Sequence, residues 1–163
     1  MEAIQRNVAW RAIPLAGLAA GTAHLVALLV LTPLMLDIQP VLPLKYMGSL
    51  VLGQGVLMEA DTMTLVVGVL VHYVLSIFFT LIIAIVVHRW GLAVGIIGGA
   101  LLGLCIYAIN FYTMTYLFNW MFAMHSTVSV IAHLIFGAVA GGVYELYDRY
   151  DVPIEFEEKR KNV

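Results

Sequence analysis

Three histidines and an asparagine, His24, His72, Asn110 and His133, stand inside four separate apolar runs, where a side chain that ionises or hydrogen-bonds is costly and marks a functional candidate. Counted from one end of each run, the four lie at comparable depth, so the sequence predicts a polar layer across a helical bundle. Such a layer supports two chemistries. Interhelical hydrogen bonds among these groups, on the order of 0.6–2 kcal/mol each, fix helix register. Paired imidazoles at one depth also meet the requirement for axial ligation of a b-type haem, with His72 and His133 as the pair and His24 as a substitute. Tyr73, Tyr107, Tyr112, Thr113 and Ser129 fall near the same level and extend the supply of hydroxyl groups.

Other chemistries are poorly served. No Asp or Glu stands at mid-depth to relay protons or hold a cation, and no run contains paired carboxylates, a Ser-His-Asp set or a phosphate loop, so an enzyme is not expected. Cys105 is the single cysteine and lies within an apolar run, which leaves no intrachain disulfide and no spacing for zinc or an iron–sulfur cluster. With a net charge of −2 and no basic patch, the chain offers nothing to nucleic acid. His88 and His125 sit at the ends of runs, where exposed rings are ordinary.

The elements that must position the four polar residues follow from composition. Of 163 residues, 63% are hydrophobic and 11% charged, with a mean hydropathy of +0.99. A water-soluble domain of this size cannot hide that much apolar surface. A bilayer-spanning helix needs about 20 apolar residues, and four stretches qualify, from about Ile13 to Leu36, Met63 to Val87, Leu92 to Phe118 and Thr127 to Leu146. The expected fold is all-α, a four-transmembrane-helix bundle in one domain over residues 1–150, with a charged tail over 151–163. The first apolar run is too long for a signal-peptide core and is expected to be a retained helix.

Small residues indicate which faces meet. Gly91, Gly95, Gly99 and Gly103 form an every-fourth series in the third span; Gly17 and Gly21 pair in the first, and Gly137 and Gly141 in the fourth, with Ala138 and Gly142 alongside. That spacing lets backbones approach closely, the main source of cohesion between helices in lipid. At about 100° per residue, His24 lies within ~20° of Gly17, Asn110 within ~20° of Gly99 and Gly103, and His133 within ~40° of Gly137. His72 shares its face with Gly68 and Ser76. The polar groups therefore point inward. A weak repeat, "GVLVHYVLS" against "SVIAHLIFG", aligns His72 with His133 and suggests two helix pairs related by an axis along the membrane normal.

Seven of the eight basic residues (Arg6, Arg11, Arg89, Arg149, Lys159, Arg160 and Lys161) fall on one side of the predicted spans, and Lys45 alone on the other. By the positive-inside rule both termini are expected in the cytoplasm. Trp10, Trp90, Trp120, Tyr144, Tyr147 and Tyr150 fall at span ends, where amphipathic rings settle. The first outer loop is itself apolar. Leu44, Met47, Leu50 and Val51 recur at helical spacing between Pro43 and Gly53, which predicts a short helix in the outer interface, or alternatively a segment folded back on the bundle. The charged 151–163 tail is suited to docking a partner.

The segments "HYVLSIFF", "GALLGLCIYAINFY", Phe118-Asn-Trp and "AHLIFGAVAGGVYE" resemble a family of small bacterial four-helix membrane proteins, some automatically labelled "sodium:proline symporter". The resemblance covers roughly residues 50 to 146 and matches His72, Asn110, Tyr112 and His133; His24 lies outside its motifs, and Asn119 stands where the family often has proline. It implies a four-helix fold in a bacterial cytoplasmic (inner) membrane. It implies no activity, since a lone bundle of four cannot reproduce a symporter's broken-helix ion site. The leading functional expectation is an accessory or structural subunit of a larger membrane complex, respiratory or electron-transfer in kind, with the lipid bilayer and other membrane subunits as partners. Haem b ligated by His72 and His133 is the second expectation. The third is a small-molecule, lipid or quinone-binding component in a pocket splayed open at the outer end.

Overall fold

A computed structural model describes residues 8–58 and 61–148. The 151–163 tail, and with it Arg6, Arg149, Tyr150, Lys159, Arg160 and Lys161, lies outside the described residues. In chain order the elements are α1 (Ala12–Leu36), α2 (Leu42–Leu52), α3 (Thr62–Val87), α4 (Leu92–Ala108), a π-helical turn (Ile109–Thr113), short 3-10 turns and α5 (Thr127–Asp148). The protein is an all-α membrane bundle, with four helices long and apolar enough to cross a bilayer: Ala12–Leu36, Thr62–Val87, Leu92–Tyr116 and Thr127–Asp148. The four run alternately up and down. Residues 8–11, the 88–91 turn and the end of α5 share one end of the bundle, here the proximal end; the 37–58 and 114–126 segments form the distal end.

Local chemistry sets the ends. Pro14 falls in the first turn of α1, where a missing N–H costs nothing. Asp37 closes α1 in the left-handed conformation, φ 54°, and the Asp61 carboxylate caps α3 by accepting from Met63 N at 2.9 Å. Between α3 and α4 the chain reverses through Arg89 (φ 65°) and Gly91 (φ 88°). Gly91 thus precedes α4 as its cap instead of heading the packing series, a correction to the expected four-glycine stripe. A second correction concerns length. Regular α-helix stops at Ala108, ten residues short of the expected end at Phe118, and gives way to the π turn.

Packing follows the small residues. On α4 and α5, Gly99 faces Gly137, Gly95 faces Gly141, and Gly103 faces the carbonyl of His133, so closely that a methyl group on any of them would strike the opposing backbone. On α1 and α3, a Cβ at Gly17 would lie 2.8 Å from Ile77 Cα, and one at Gly21 2.7 Å from Ser76 Oγ. These contacts make two tight antiparallel hairpins, α1 with α3 and α4 with α5. The hairpins join through α1 and α5, whose Ala16, Ala20, Ala132 and Ala140 are fully buried. Ile83, Ala84, Val87 and Tyr144 complete a proximal core with almost no exposed surface.

A true two-fold relation between the hairpins would make α3 and α4 meet as closely as α1 and α5 do. They do not: α3 and α4 touch only sparsely. The space between their distal halves is shared by α2. That short helix forms where the sequence places it, and lies antiparallel along α3, with Gly48 on Thr64 and the Leu44 carbonyl on Gly68. Pro43, Leu44, Gly48 and Ser49 are buried, so the expected short helix of the first outer loop is present and packs one face on the bundle.

Candidate functional site

The four polar residues converge. The His24 ring stacks on His72 with centroids 5.3 Å apart and meets His133 edge-on at 4.8 Å. Asn110 reaches the far side of His133, its Nδ2 3.3 Å from His133 Nε2. All three imidazoles are at least 94% buried in relative terms, with exposures of 5%, 4% and 6% for His24, His72 and His133. Each ring is therefore turned away from lipid, on the face that the small residues mark.

Backbone carbonyls fix the protons. His133 Nδ1 lies 2.7 Å from the carbonyl oxygen of Ser129, one turn earlier on α5. A carbonyl only accepts, so Nδ1 carries the hydrogen and the neutral ring presents Nε2 as a bare acceptor. The Asn110 amide donates to that nitrogen. His72 Nε2 donates in the same way to the Gly21 carbonyl at 2.8 Å, an acceptor within reach because Gly21 has no side chain. His24 Nε2 approaches the His133 Nδ1–H at 3.5 Å, as a secondary acceptor, which leaves its own hydrogen on Nδ1. That atom is buried and has no partner among the described residues, a cost of about 1–3 kcal/mol that the surrounding packing must carry.

This arrangement bears on haem. Axial ligation needs two bare ring nitrogens facing each other across a macrocycle. Here His24 packs against both His72 and His133, and the bare Nε2 of His133 faces the Asn110 amide at 3.3 Å. Among the described residues no group of three or more His, Cys, Asp or Glu is placed to hold a metal ion. The orientation-locked His133 ring offers Nε2 as a hydrogen-bond acceptor.

Asn110 owes its place to the π turn. One extra residue per turn interrupts the α-helical ladder, a distortion found at functional sites. Phe111, buried, sets its ring 6.0 Å from His133, and Tyr107 packs at 5.6 Å. Tyr112 does not join the layer. It follows Asn110 by roughly 200° around a helix axis and instead bonds His125 Nε2 at 2.7 Å on the exposed side.

Three spaces meet at His133 and Met47, the two residues common to all of them. Two are small, about 40 and 20 Å³, and include His24 in their walls. The third is a cavity of about 250 Å³ between the distal halves of α3 and α4. Leu75, Phe78 and Phe79 of α3 form one wall, Phe111 and Met114 the other, and Phe118 and Met121 close the distal end. Asn110 and His133 are its only polar lining residues. Phe78 and Met114 are exposed and mark the mouth. Trp120, whose indole N–H donates to Ser49 Oγ at 2.9 Å, ties the distal turns to α2 and so holds Met47 in position.

A second polar cluster, at the proximal end, has no counterpart in the sequence reading. Glu145 is 2% exposed and accepts from Gly91 N at 2.9 Å, capping α4 from the neighbouring helix. Beside it the Tyr144 hydroxyl is bonded by Ala9 N at 3.3 Å and lies 2.9 Å from His88 Nδ1. The signal was present: Glu145 is the one acid inside the four expected spans.

Comparison with protein-family models, curated proteins and solved structures returns no match. What the fold and site define is a class, a four-span membrane bundle with an imidazole-floored apolar cavity.

Proposed function

We propose that this protein binds a lipid-soluble small molecule in the cavity between α3 and α4, with Asn110 and His133 reading its polar end. One observation carries the reading: among the described residues, the polar side chains lining an apolar cavity of about 250 Å³ are a locked imidazole and its carboxamide partner. Apolar walls with a few placed polar groups are the usual makeup of a small-molecule site. The reading moves ahead of the accessory subunit, which drew on the 151–163 tail. It also moves ahead of haem ligation, because His24 packs against both His72 and His133 and the bare Nε2 of His133 faces Asn110. No covalent step is assigned to the site. Arg11 and Arg89 at the proximal end and Lys45 at the distal end support cytoplasmic termini, and on this reading the cavity opens in the outer leaflet.

The test is extraction. Protein purified in mild detergent is stripped with organic solvent and the extract is analysed by mass spectrometry, beside a Met114→Trp variant that plugs the mouth. A lipophilic molecule near one per chain, enriched over bulk lipid and lost from the variant, is the expected result. Equal contents in both proteins would refute the proposal.

A further inference from the structure

Resting on that reading, we infer that the cavity selects a neutral aromatic head bearing a ring hydroxyl, the class of hydroquinones and phenols carried on an apolar tail. Size comes first. About 250 Å³ lies below the roughly 300–1,000 Å³ of sites that enclose drug-sized molecules, so the cavity takes a head of one or two rings while the tail leaves past Phe78 and Met114 into the bilayer. The walls come second. Phe79, Phe111 and Phe118 alternate with Met47, Met114 and Met121, a lining that favours ring edges and faces and adapts to shape.

Charge comes third. Among the described residues no Asp, Glu, Lys or Arg lines the cavity. A carboxylate or phosphate head would enter as an uncompensated buried ion, at a cost no contact here offsets. The head is therefore neutral.

The floor decides the functional group. His133 Nε2 can only accept, because Nδ1–H is committed to the Ser129 carbonyl at 2.7 Å. Its present donor, the Asn110 amide, is held at 3.3 Å, beyond the usual 2.9–3.0 Å for such bonds. A hydroxyl entering between them donates to Nε2 and accepts from Asn110 Nδ2, so one group satisfies both partners. An ether oxygen or a carbonyl only accepts and leaves Nε2 dependent on the long amide contact. Discrimination by a polar site of this kind works through the partner left unpaired.

The experiment uses full-length protein in lipid nanodiscs and two probes, decylhydroquinone kept reduced under nitrogen and its di-O-methyl ether. Binding is measured by calorimetry, and the ¹⁵N resonance of His133 Nε2 reports the hydrogen bond directly. The hydroquinone is expected to bind at least about tenfold tighter than the ether and to move the Nε2 resonance. In Asn110→Leu, which leaves His133 Nε2 with no donor but the ligand's hydroxyl, the preference is expected to hold or grow, and its loss in this variant overturns the assignment of Nε2 as the acceptor. Equal affinity of the two probes in wild-type protein overturns the hydroxyl assignment and leaves the cavity reading intact. If neither probe binds while the extraction finds a resident molecule, the head class is wrong; if neither binds and no molecule is extracted, the cavity reading falls as well.

Discussion

Replacing Gly17 with alanine should loosen the first hairpin by an amount the geometry sets. The added methyl carbon would lie 2.8 Å from Ile77 Cα and 3.0 Å from its Cγ1. Carbon atoms rest at about 3.5–4.0 Å, and Ile77 Cα is backbone, so α1 and α3 must part by roughly 0.7–1 Å to relieve the clash. A gap of about 0.5–1 Å forfeits a quarter to a half of each dispersion contact it opens. Over a seam of about 30 atom pairs at about 0.1–0.2 kcal/mol each, the loss is on the order of 1–3 kcal/mol, the range seen for overpacked interiors. Gly98→Ala is the matched control. Its Cβ would meet only Val87 Cγ1, at 3.6 Å, an ordinary contact, so the change should stay within about 0.5 kcal/mol of wild type. Reversible unfolding in mixed bicelles, followed by circular dichroism, gives both values. Equal stability of Gly17→Ala, Gly98→Ala and the parent protein would refute the close-approach argument for this seam. The separation should also draw the Gly21 carbonyl from His72, so the His72 Nε2–H proton resonance should move in Gly17→Ala and stay put in Gly98→Ala.

Four further outcomes are expected. Trp120→Phe removes the indole bond to Ser49 and should cost about 1 kcal/mol of unfolding free energy, while trypsin cleavage at Lys45 becomes faster. Glu145→Ala strips the cap from the α4 amino end and should cost about 1–3 kcal/mol; Glu145→Gln, which keeps an acceptor oxygen, should recover at least half of that in the same unfolding assay. Tyr112→Phe breaks the exposed bond to His125, and the Asn110–His133 bond and the Nδ1–H tautomer of His133 should be retained in its ring resonances. In ¹⁵N-histidine spectra of the parent protein, His133 should appear as the Nδ1–H tautomer and His72 as the Nε2–H tautomer, each of which a reversed assignment would contradict.

The spans were legible because bilayer thickness imposes length and oil on a helix, so all four agree with the sequence reading to within two residues at either end. The inward turn of His24, His72, Asn110 and His133 was legible for a related reason: each shares a helix face with glycine or serine, and faces that can approach closely are faces that meet. Three features lay beyond reach. The π turn changes the register of Asn110 through a backbone rearrangement that no spacing of side chains announces. Tyr112 was placed by level alone, and level says nothing about azimuth. The break in two-fold symmetry between the hairpins comes from α2 wedging along α3, a tertiary choice; the repeat in the sequence, read by itself, favours a closed seam where the cavity stands. Glu145 was overlooked because attention to mid-depth charges passes over a carboxylate one turn from a span's end.

The layer also has a history written into chain order. His24 and His72 belong to the first hairpin, Asn110 and His133 to the second, and the ring contacts that unite them cross from one to the other. During synthesis the earlier two imidazoles enter the bilayer before their companions exist, and the set is whole only when the last helix has been made and the halves dock. A gene cut within the 88–91 turn should accordingly yield two fragments that each insert alone and regain one another by lateral diffusion. Assembly of the centre would then follow second-order kinetics, a dependence on fragment density that the intact chain never displays.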